Sequence, residues 1–551
     1  MDHKELANLI FPDVKDISYY EEKYPKRNLP EGAIVTRYAP SPTGVMHIGG
    51  LYQSLIAKKV AEQTKGIFFL RIEDTDQKRE IENGVSEIVT SMSKFDMEPD
   101  EGVISETEEK GEYGPYKQSQ RGEIYKAYAK YLIEQKLAYP CFCTPEEIEK
   151  IRAKQEAAKI RPGYYGVWAK CRNLGLDETV RRIQAGEKYI IRLKSNGRED
   201  KKIKHHDIIK GNVDFPENDQ DIVIIKADGL PTYHFAHAVD DHLMGTTHVI
   251  RGDEWLSSVP LHLQLFQTLG FKAPKYAHIA PIMKEDNGGK RKLSKRKDPE
   301  AAVEYYVKEG IPAVAVREYL LNIANSNFEQ WRKTNKNASL SEFDLQLNKM
   351  SVSGALFDMV KLLDISKTVI SKMTAVEVYN KTIEWAEKYD ASVKELLEKD
   401  KEYTLKVLGI ERGNEKPRKD ISKWSEVQEN IEYMYDEIYF SKEINYEYQK
   451  INEKEEIQKI VKTYLEEYFD ISDDKQTWFN KIKDLAEKLG YAREVKEYKN
   501  NPENYKGHVG DISTVIRISL TGRANTPDMY EIMQVLGKES VEKRLQKILW
   551  K

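Results

Sequence analysis

Cysteine is nearly absent, with three residues in 551. That excludes a disulfide framework and points to a reducing, cytoplasmic setting. No apolar run approaches the ~20 residues a membrane span needs. The start, Met1-Asp2-His3-Lys4-Glu5, is charged and no apolar segment follows, so a secretory signal is not expected. Net charge is slight, at −4. Bulk electrostatics therefore announces no nucleic-acid partner, although binding faces are local. The basic stretches Lys201-Lys202-Ile203-Lys204-His205-His206 and Lys543-Arg544-Leu545-Gln546-Lys547 read, each by itself, as solvated faces. No internal repeat is evident, and no nucleophile paired with a base stands out.

What is present is a long chain with 40% hydrophobic and 32% charged residues, the balance of a soluble globular protein. At about 100–200 residues per domain, a single hydrophobic core is excluded and several domains are expected. The most informative segment is Arg37-Tyr38-Ala39-Pro40-Ser41-Pro42-Thr43-Gly44-Val45-Met46-His47-Ile48-Gly49-Gly50. It follows a short apolar run, Ala33-Ile34-Val35, and precedes a helical stretch, Leu51 to Val60. A Pro/Gly-rich loop and a His-x-Gly-Gly turn thus sit where a strand feeds a helix, the crevice where open α/β sheets bind ligands. The helix start is expected to offer free N–H groups and a positive dipole end to a phosphate.

A second strand, Gly66 to Ile72, ends in Glu73-Asp74-Thr75-Asp76. The next strand of this kind is Asp221 to Ile225, and the residues between are too many for a loop. An inserted domain is the economical reading. Within it Tyr189 to Lys194 runs into Ser195-Asn196-Gly197, a hairpin-turn signal. The β-α pattern then resumes with Thr247 to Arg251, a helix from Pro260 to Leu269 and Tyr276 to Ile279. Beyond about residue 300 helical periodicity takes over, as at Val316, Tyr319, Leu320 and Ile323 and at Ile482, Leu485, Ala486 and Leu489. Asn414 to Lys419 reads as an exposed loop. Late in the β-α part, Glu285-Asp286-Asn287-Gly288-Gly289-Lys290-Arg291 reads as a flexible loop carrying Lys292-Leu293-Ser294-Lys295-Arg296. Those cations suit a polyphosphate.

Together these segments resemble the bacterial-type glutamyl-tRNA synthetases of class I. His47-Ile48-Gly49-Gly50 is similar to the first class signature and Lys292-Leu293-Ser294-Lys295-Arg296 to the second. Ala39 to Gly44 has the glutamyl form, where glutaminyl enzymes read Pro-Pro-Glu-Pro-Asn-Gly. Arg71 to Asp76, Pro231 to Gly245, Val249 to Trp255, Ile518 to Gly522 and Leu536 to Glu539 also match.

The resemblance implies an α/β protein. After an N-terminal extension (1–32) comes a split Rossmann-type catalytic domain (33–115 and 219–300). An inserted acceptor-binding α+β domain (116–218) divides it. A stem-contact helical domain (301–400) and an all-α anticodon-binding region (401–551) follow. It further implies ATP with Mg²⁺, glutamate and tRNA-Glu as partners, with tRNA-Gln left open, and a cytoplasmic monomer. By resemblance His47, Lys292 and Lys295 are catalytic. ATP would be held by His47, Gly49, Gly50, Glu254, Trp255 and Lys295. Glutamate would be held by Arg37, Ser41, Glu73, Tyr233 and Arg251, with Arg37 on the γ-carboxylate and Glu73 on the ammonium.

Three features depart from the family. His237 stands where Asn is common. Lys361 to Val369 replaces a Lys-Leu-x-Trp-x-Asn-x-x-Tyr segment. Cys141, Cys143 and Cys171 occupy a zinc site of some relatives but lack its histidine, leaving Tyr164 or Tyr165 as substitutes. Two other readings are a synthetase-like tRNA-binding protein without chemistry, which intact signatures disfavour, and a small adenylyltransferase, which the long helical C-terminus disfavours.

Overall fold

The computed structural model describes residues 2–76 and 81–550. The chain forms two compact units, residues 1–305 with 317–358, and residues 306–316 with 359–551.

The first unit begins with two short helices. α1 (His3–Ile10) starts at a capping box in which Asp2 accepts the Glu5 amide and Glu5 accepts the Asp2 amide. α2 (Ile17–Lys23) follows, capped by Asp16. Arg27 then anchors this segment. Its Nη1 and Nη2 donate to Glu101 at 2.8 and 2.9 Å, and Nε donates to the Met244 carbonyl at 2.8 Å.

The central sheet is parallel. β1 (Val35–Tyr38) pairs with β2 (Ile67–Leu70), with Arg37 opposite Phe69. α3 (Ile48–Gln63) connects them. β2 pairs in parallel with β3 (Glu101–Val103) after α4 (Gly84–Lys94), and β4 (Glu109–Lys110) closes that edge antiparallel. β1 is buried throughout, and Phe68, Phe69 and Leu70 are fully buried, as a strand covered on both faces requires.

α5 (Gly122–Glu134) leads into an antiparallel sheet of order β5–β6–β9, made by Ala138–Cys141, Ile190–Leu193 and Val223–Ile225. α6 (Pro145–Ala157) and α7 (Leu176–Gln184) lie between its first two strands. The Asn196-Gly197 pair does not turn a hairpin, because β6 pairs with β5 and β9. Side chains take the backbone groups just beyond it. The Ser195 amide donates to Asp221 at 2.8 Å, and Arg172 donates to the Ser195 carbonyl at 2.7 Å. The basic stretch near residue 204 forms β7 (Lys202–Asp207), paired with β8 (Gly211–Pro216) and exposed at alternate positions. β7 lies against β11.

After α8 (Tyr233–Leu243), β10 (His248–Gly252) and β11 (Lys275–Ile279) pair in parallel around α9 (Val259–Leu269). The Thr247 amide donates to the Val35 carbonyl at 3.0 Å, which sets β10 beside β1. The segment expected to be a flexible loop is instead a tight hairpin, β12 (Met283–Asp286) and β13 (Gly289–Lys292). Its two turn residues, Asn287 and Gly288, have φ of 50° and 81°, the positive pair that a two-residue turn of the right twist demands.

The second unit is helical, with a core running from Ile370 through Trp424, Ile460, Ile482 and Ile516 to Ile548. Ile482, Leu485 and Ala486 are buried on the helix Lys475–Lys488, the face their spacing predicts. The basic stretch near the C-terminus is not wholly a solvated face. Arg544 is fully buried, where Nη1 donates to the Tyr433 carbonyl at 2.7 Å and Nε to Asp436 at 2.9 Å. Among the described residues no helix is long and apolar enough to cross a membrane.

Candidate functional site

The carboxyl ends of β1 and β10 place Arg37 and Arg251 in the lining of one cavity, of about 400 Å³. It lies where the order of a doubly wound sheet places ligands. Among the residues singled out in the sequence, Arg37, Ser41, His47, Gly49, Gly50, Glu73, Tyr233, Arg251, Glu254, Trp255 and Lys292 line it. Lys295 does not. Its Nζ donates to the Val45 carbonyl, beside the His47 turn.

The turn is built by His47, the N-cap of α3. Its Nδ1 accepts the Gly49 amide at 2.9 Å, and its carbonyl accepts the Gly50 amide at 2.8 Å. Two of the first-turn N–H groups expected to be free for a phosphate, those of Gly49 and Gly50, are therefore taken by His47. With Nδ1 an acceptor, the ring proton sits on Nε2, which donates to the Leu293 carbonyl at 3.2 Å. Burial lowers the His47 pKa, and Lys295 and Lys292 add to the effect, so the ring is neutral at neutral pH. Gly50 is glycine for a packing reason, because a Cβ there would lie 2.4 Å from the Tyr38 hydroxyl. The lysine segment is pinned by Asp298, which accepts two Arg291 nitrogens at 2.6 and 2.8 Å and the Ser294 amide at 2.9 Å.

The floor of the cavity is ionic. Arg37 Nε donates to both oxygens of Asp241 at 3.3 Å. Arg71 Nη1 donates to Asp241 at 2.7 Å, and its Nη2 donates to Glu73 at 3.2 Å. Burial would raise the Asp241 pKa, but Arg37 and Arg71 hold it well below the usual carboxylate range. At Glu73 burial prevails over the same two arginines and the pKa is raised. Arg251 differs. It is 3% exposed, yet its partners are all neutral: His278 Nε2 at 3.0 Å, His262 Nδ1 at 3.1 Å, the Trp255 carbonyl at 3.3 Å and the Tyr233 hydroxyl at 3.4 Å. Among the described residues no carboxylate forms an ion pair with it.

Asp241, Arg71, His262, His278 and Asp207 were not singled out as site residues. Arg71 and Asp241 lie inside the motif segments, but a pairing across 170 residues leaves no local signal. Asp207 and His278 carry none either.

Away from this cavity, Cys141, Cys143 and Cys171 converge, with their sulfurs within 4.8 Å of one another. The Tyr164 hydroxyl lies 3.3 Å from both Cys141 and Cys143 Sγ and accepts the Cys171 amide at 3.1 Å. Tyr165 turns elsewhere, donating to the Arg161 carbonyl at 2.6 Å. Three sulfurs converge with a hydroxyl beside them; the thiolates suit a cation such as zinc, whereas tyrosine is a poor fourth ligand for it.

The second unit has its own cavity, of about 390 Å³, lined by Lys367, Arg412, Arg418, Lys419, Arg523 and Asn525 among others. Among the described residues Arg412 donates only to carbonyls, those of Leu408, Ile370 and Met373. Burial lowers its pKa.

Residues 33–364 match the family described as tRNA synthetases class I (E and Q), catalytic domain, and residues 377–549 match the one described as Anticodon binding domain. The chain is 54% identical to a glutamate–tRNA ligase of Clostridium perfringens (strain SM101 / Type A), covering 100% of both chains. It is 52% identical to that of Clostridium beijerinckii, again over 100% of each. Among solved structures it is similar to a glutamate tRNA ligase from Elizabethkingia meningosepticum in complex with its amino acid. There the TM-score is 0.72 at 27% identity, with 94% of this chain and 99% of that one covered.

Proposed function

The chain belongs to the glutamate–tRNA ligases of the class I tRNA synthetases, and we propose how its residues divide that work. The enzyme joins glutamate to tRNA at the expense of ATP, through a glutamyl-adenylate. Attack of the substrate carboxylate on the α-phosphate asks little covalent chemistry of the protein. Positioning and charge stabilisation carry it.

The observation that carries the glutamate assignment is Arg251, a buried guanidinium whose partners are all neutral. A buried cation without a counter-charge costs several kcal/mol, and a substrate carboxylate supplies the missing charge through a two-nitrogen fork. Arg37, steadied through Nε by Asp241, takes the γ-carboxylate beside it. A neutral glutamine side chain would leave Arg37 unmatched. Glu73 holds the ammonium, which reverses its raised pKa, and Ser41 and Tyr233 add hydroxyl contacts.

ATP lies along the His47 turn, against Gly49, Gly50, Glu254 and Trp255. His47 Nε2 exchanges the Leu293 carbonyl for a phosphate oxygen, and Lys292 and Lys295 neutralise the departing pyrophosphate. Mg²⁺ accompanies ATP as the counter-ion of its phosphates. Cys141, Cys143, Cys171 and Tyr164 would hold zinc, whose contribution there is to tie the inserted segment together. The arginine-lined cavity of the second unit takes anticodon nucleotides, splayed bases and phosphate alike. tRNA-Glu is the partner. tRNA-Gln counts as a second one if the purified tRNA accepts glutamate in the same charging assay. The enzyme works as a cytoplasmic monomer.

The test is glutamate-dependent pyrophosphate exchange with tRNA present. Arg251→Ala and Arg37→Ala each abolish it while tRNA binding survives. Exchange unchanged in Arg251→Ala overturns the glutamate site.

A further inference from the structure

Arg251 and His278 stand opposite each other on β10 and β11. Arg251 Nε donates to His278 Nε2 at 3.0 Å. A guanidinium has no acceptor, so this ring nitrogen carries no proton. The single proton of the neutral ring is then on Nδ1, which donates to Asp207 Oδ2 at 2.6 Å. Asp207 and His278 are both fully buried. Asp207 ends β7, on the hairpin of the segment between the two halves of the parallel sheet. Its Oδ1 is committed to the backbone, accepting the amides of Ile209 at 3.0 Å and Lys210 at 2.8 Å, and the His278 amide reaches both oxygens, Oδ1 at 3.3 Å and Oδ2 at 3.2 Å.

We propose that Asp207 is a positioning residue for glutamate recognition, acting through His278 on Arg251. Its carboxylate fixes the His278 proton on Nδ1 and so keeps Nε2 a bare acceptor. That acceptor orients the guanidinium. Because the carboxylate is one ring removed, Arg251 is aimed without being neutralised by contact, and its charge stays available to the substrate. This contrasts with Arg37, which touches its own carboxylate. The proposal rests on the assignment of Arg251 to glutamate.

Asp207→Asn tests it with nearly unchanged shape. The one amide oxygen is claimed by the Ile209 and Lys210 N–H groups, which turns the amide NH₂ toward His278. His278 Nδ1 must then accept, its proton moves to Nε2, and that N–H meets the Arg251 N–H.

In the full-length enzyme with saturating tRNA, Asp207→Asn raises the glutamate KM at least tenfold. The ATP KM stays within about threefold. Nitrogen-15 spectra of histidine-labelled protein show the His278 tautomer reversed. Equal rises in both KM values, or an unmoved tautomer, overturn the proposal. A second pair of variants does not depend on Asp207→Asn folding. His278→Leu removes the acceptor, whereas His278→Gln offers a carbonyl oxygen in its place, so the leucine variant has the higher glutamate KM, by at least tenfold. Equal values overturn the relay. If Arg251→Ala leaves the glutamate KM unchanged, the underlying assignment fails. If that variant loses glutamate while Asp207→Asn keeps its KM, only the relay fails.

Discussion

His47 Nε2 lies 3.2 Å from the Leu293 carbonyl oxygen, across 246 residues of sequence. This one hydrogen bond joins the His-Ile-Gly-Gly turn to the lysine segment. It exists because Nδ1 is spent on the Gly49 amide, which leaves Nε2 as the donor. The two jobs of the ring, capping a helix and donating toward the nucleotide, are therefore separable by mutation.

Asparagine is a good N-cap but too short to reach Leu293. His47→Asn should keep the thermal midpoint within a few degrees and slow glutamate activation at least a hundredfold, about 2.7 kcal/mol of barrier. His47→Ala should show the same rate loss and in addition lose ~1 kcal/mol of stability with the cap. Pyrophosphate exchange within tenfold of wild type in His47→Asn would reduce His47 to a cap.

Lys295 stands off the cavity wall, with its ammonium on the Val45 carbonyl and its pKa lowered by burial. A contact to one neutral carbonyl is readily exchanged for a polyphosphate. Lys295→Ala should slow adenylate formation at least tenfold in a rapid-quench experiment, roughly 1.4 kcal/mol, with the glutamate KM little changed. An equal loss of glutamate affinity would place Lys295 in the wrong half of the site.

How much of this was legible in the sequence follows from the range of the interactions. The strand, turn and helix around His47 are local, and periodicity with Pro and Gly marks them. The cavity lining follows from motifs whose residues the fold collects at one sheet edge. The ionic floor does not, because Arg37 and Asp241 are 204 residues apart. Asn196-Gly197 carries the hairpin signal and Asn287-Gly288 reads as part of a flexible loop, yet it is Asn287-Gly288 that turns a hairpin. At Ser195 the backbone is claimed by Asp221 and Arg172, which no local pattern shows. Arg544 looked solvated by composition and is buried, because Asp436 and the Tyr433 carbonyl receive it. The extension ahead of residue 33 carries a readable capping box at Asp2 and Glu5, but its anchor, Arg27 on Glu101 and Met244, is again non-local.

The cysteine cluster predicts one zinc per chain in metal analysis of the purified protein. Cys143→Ser should remove it and lower the thermal midpoint, while Tyr165→Phe leaves the metal in place. Tyr164→Phe should weaken retention against a chelator. Protein purified without chelators and carrying no stoichiometric zinc would dispose of the site.

Acid stability should fall in a window set by buried histidines. Burial pushes His234 and His248 down to about 4, helped by Arg251 and Lys275 respectively. Burial takes His237 to about 3, against the pull of Asp241. Unfolded, each titrates near 6.5. Between about pH 6.5 and 4 the unfolded chain therefore binds protons that the native fold excludes, and native stability declines as pH falls. The decline is about 1.4 kcal/mol per pH unit for each proton and flattens below about 4 for His234 and His248. The Asp241 pKa is also lowered, but its unfolded reference lies at about 3.9, so its contribution is intact throughout this window and is lost only as pH falls below it. Urea midpoints taken from pH 7.5 to 4.5 measure the slope. His248→Gln, outside the cavity, should remove one proton's share of it. A midpoint that holds steady from pH 6.5 to 4.5 would mean these rings are already charged in the folded protein.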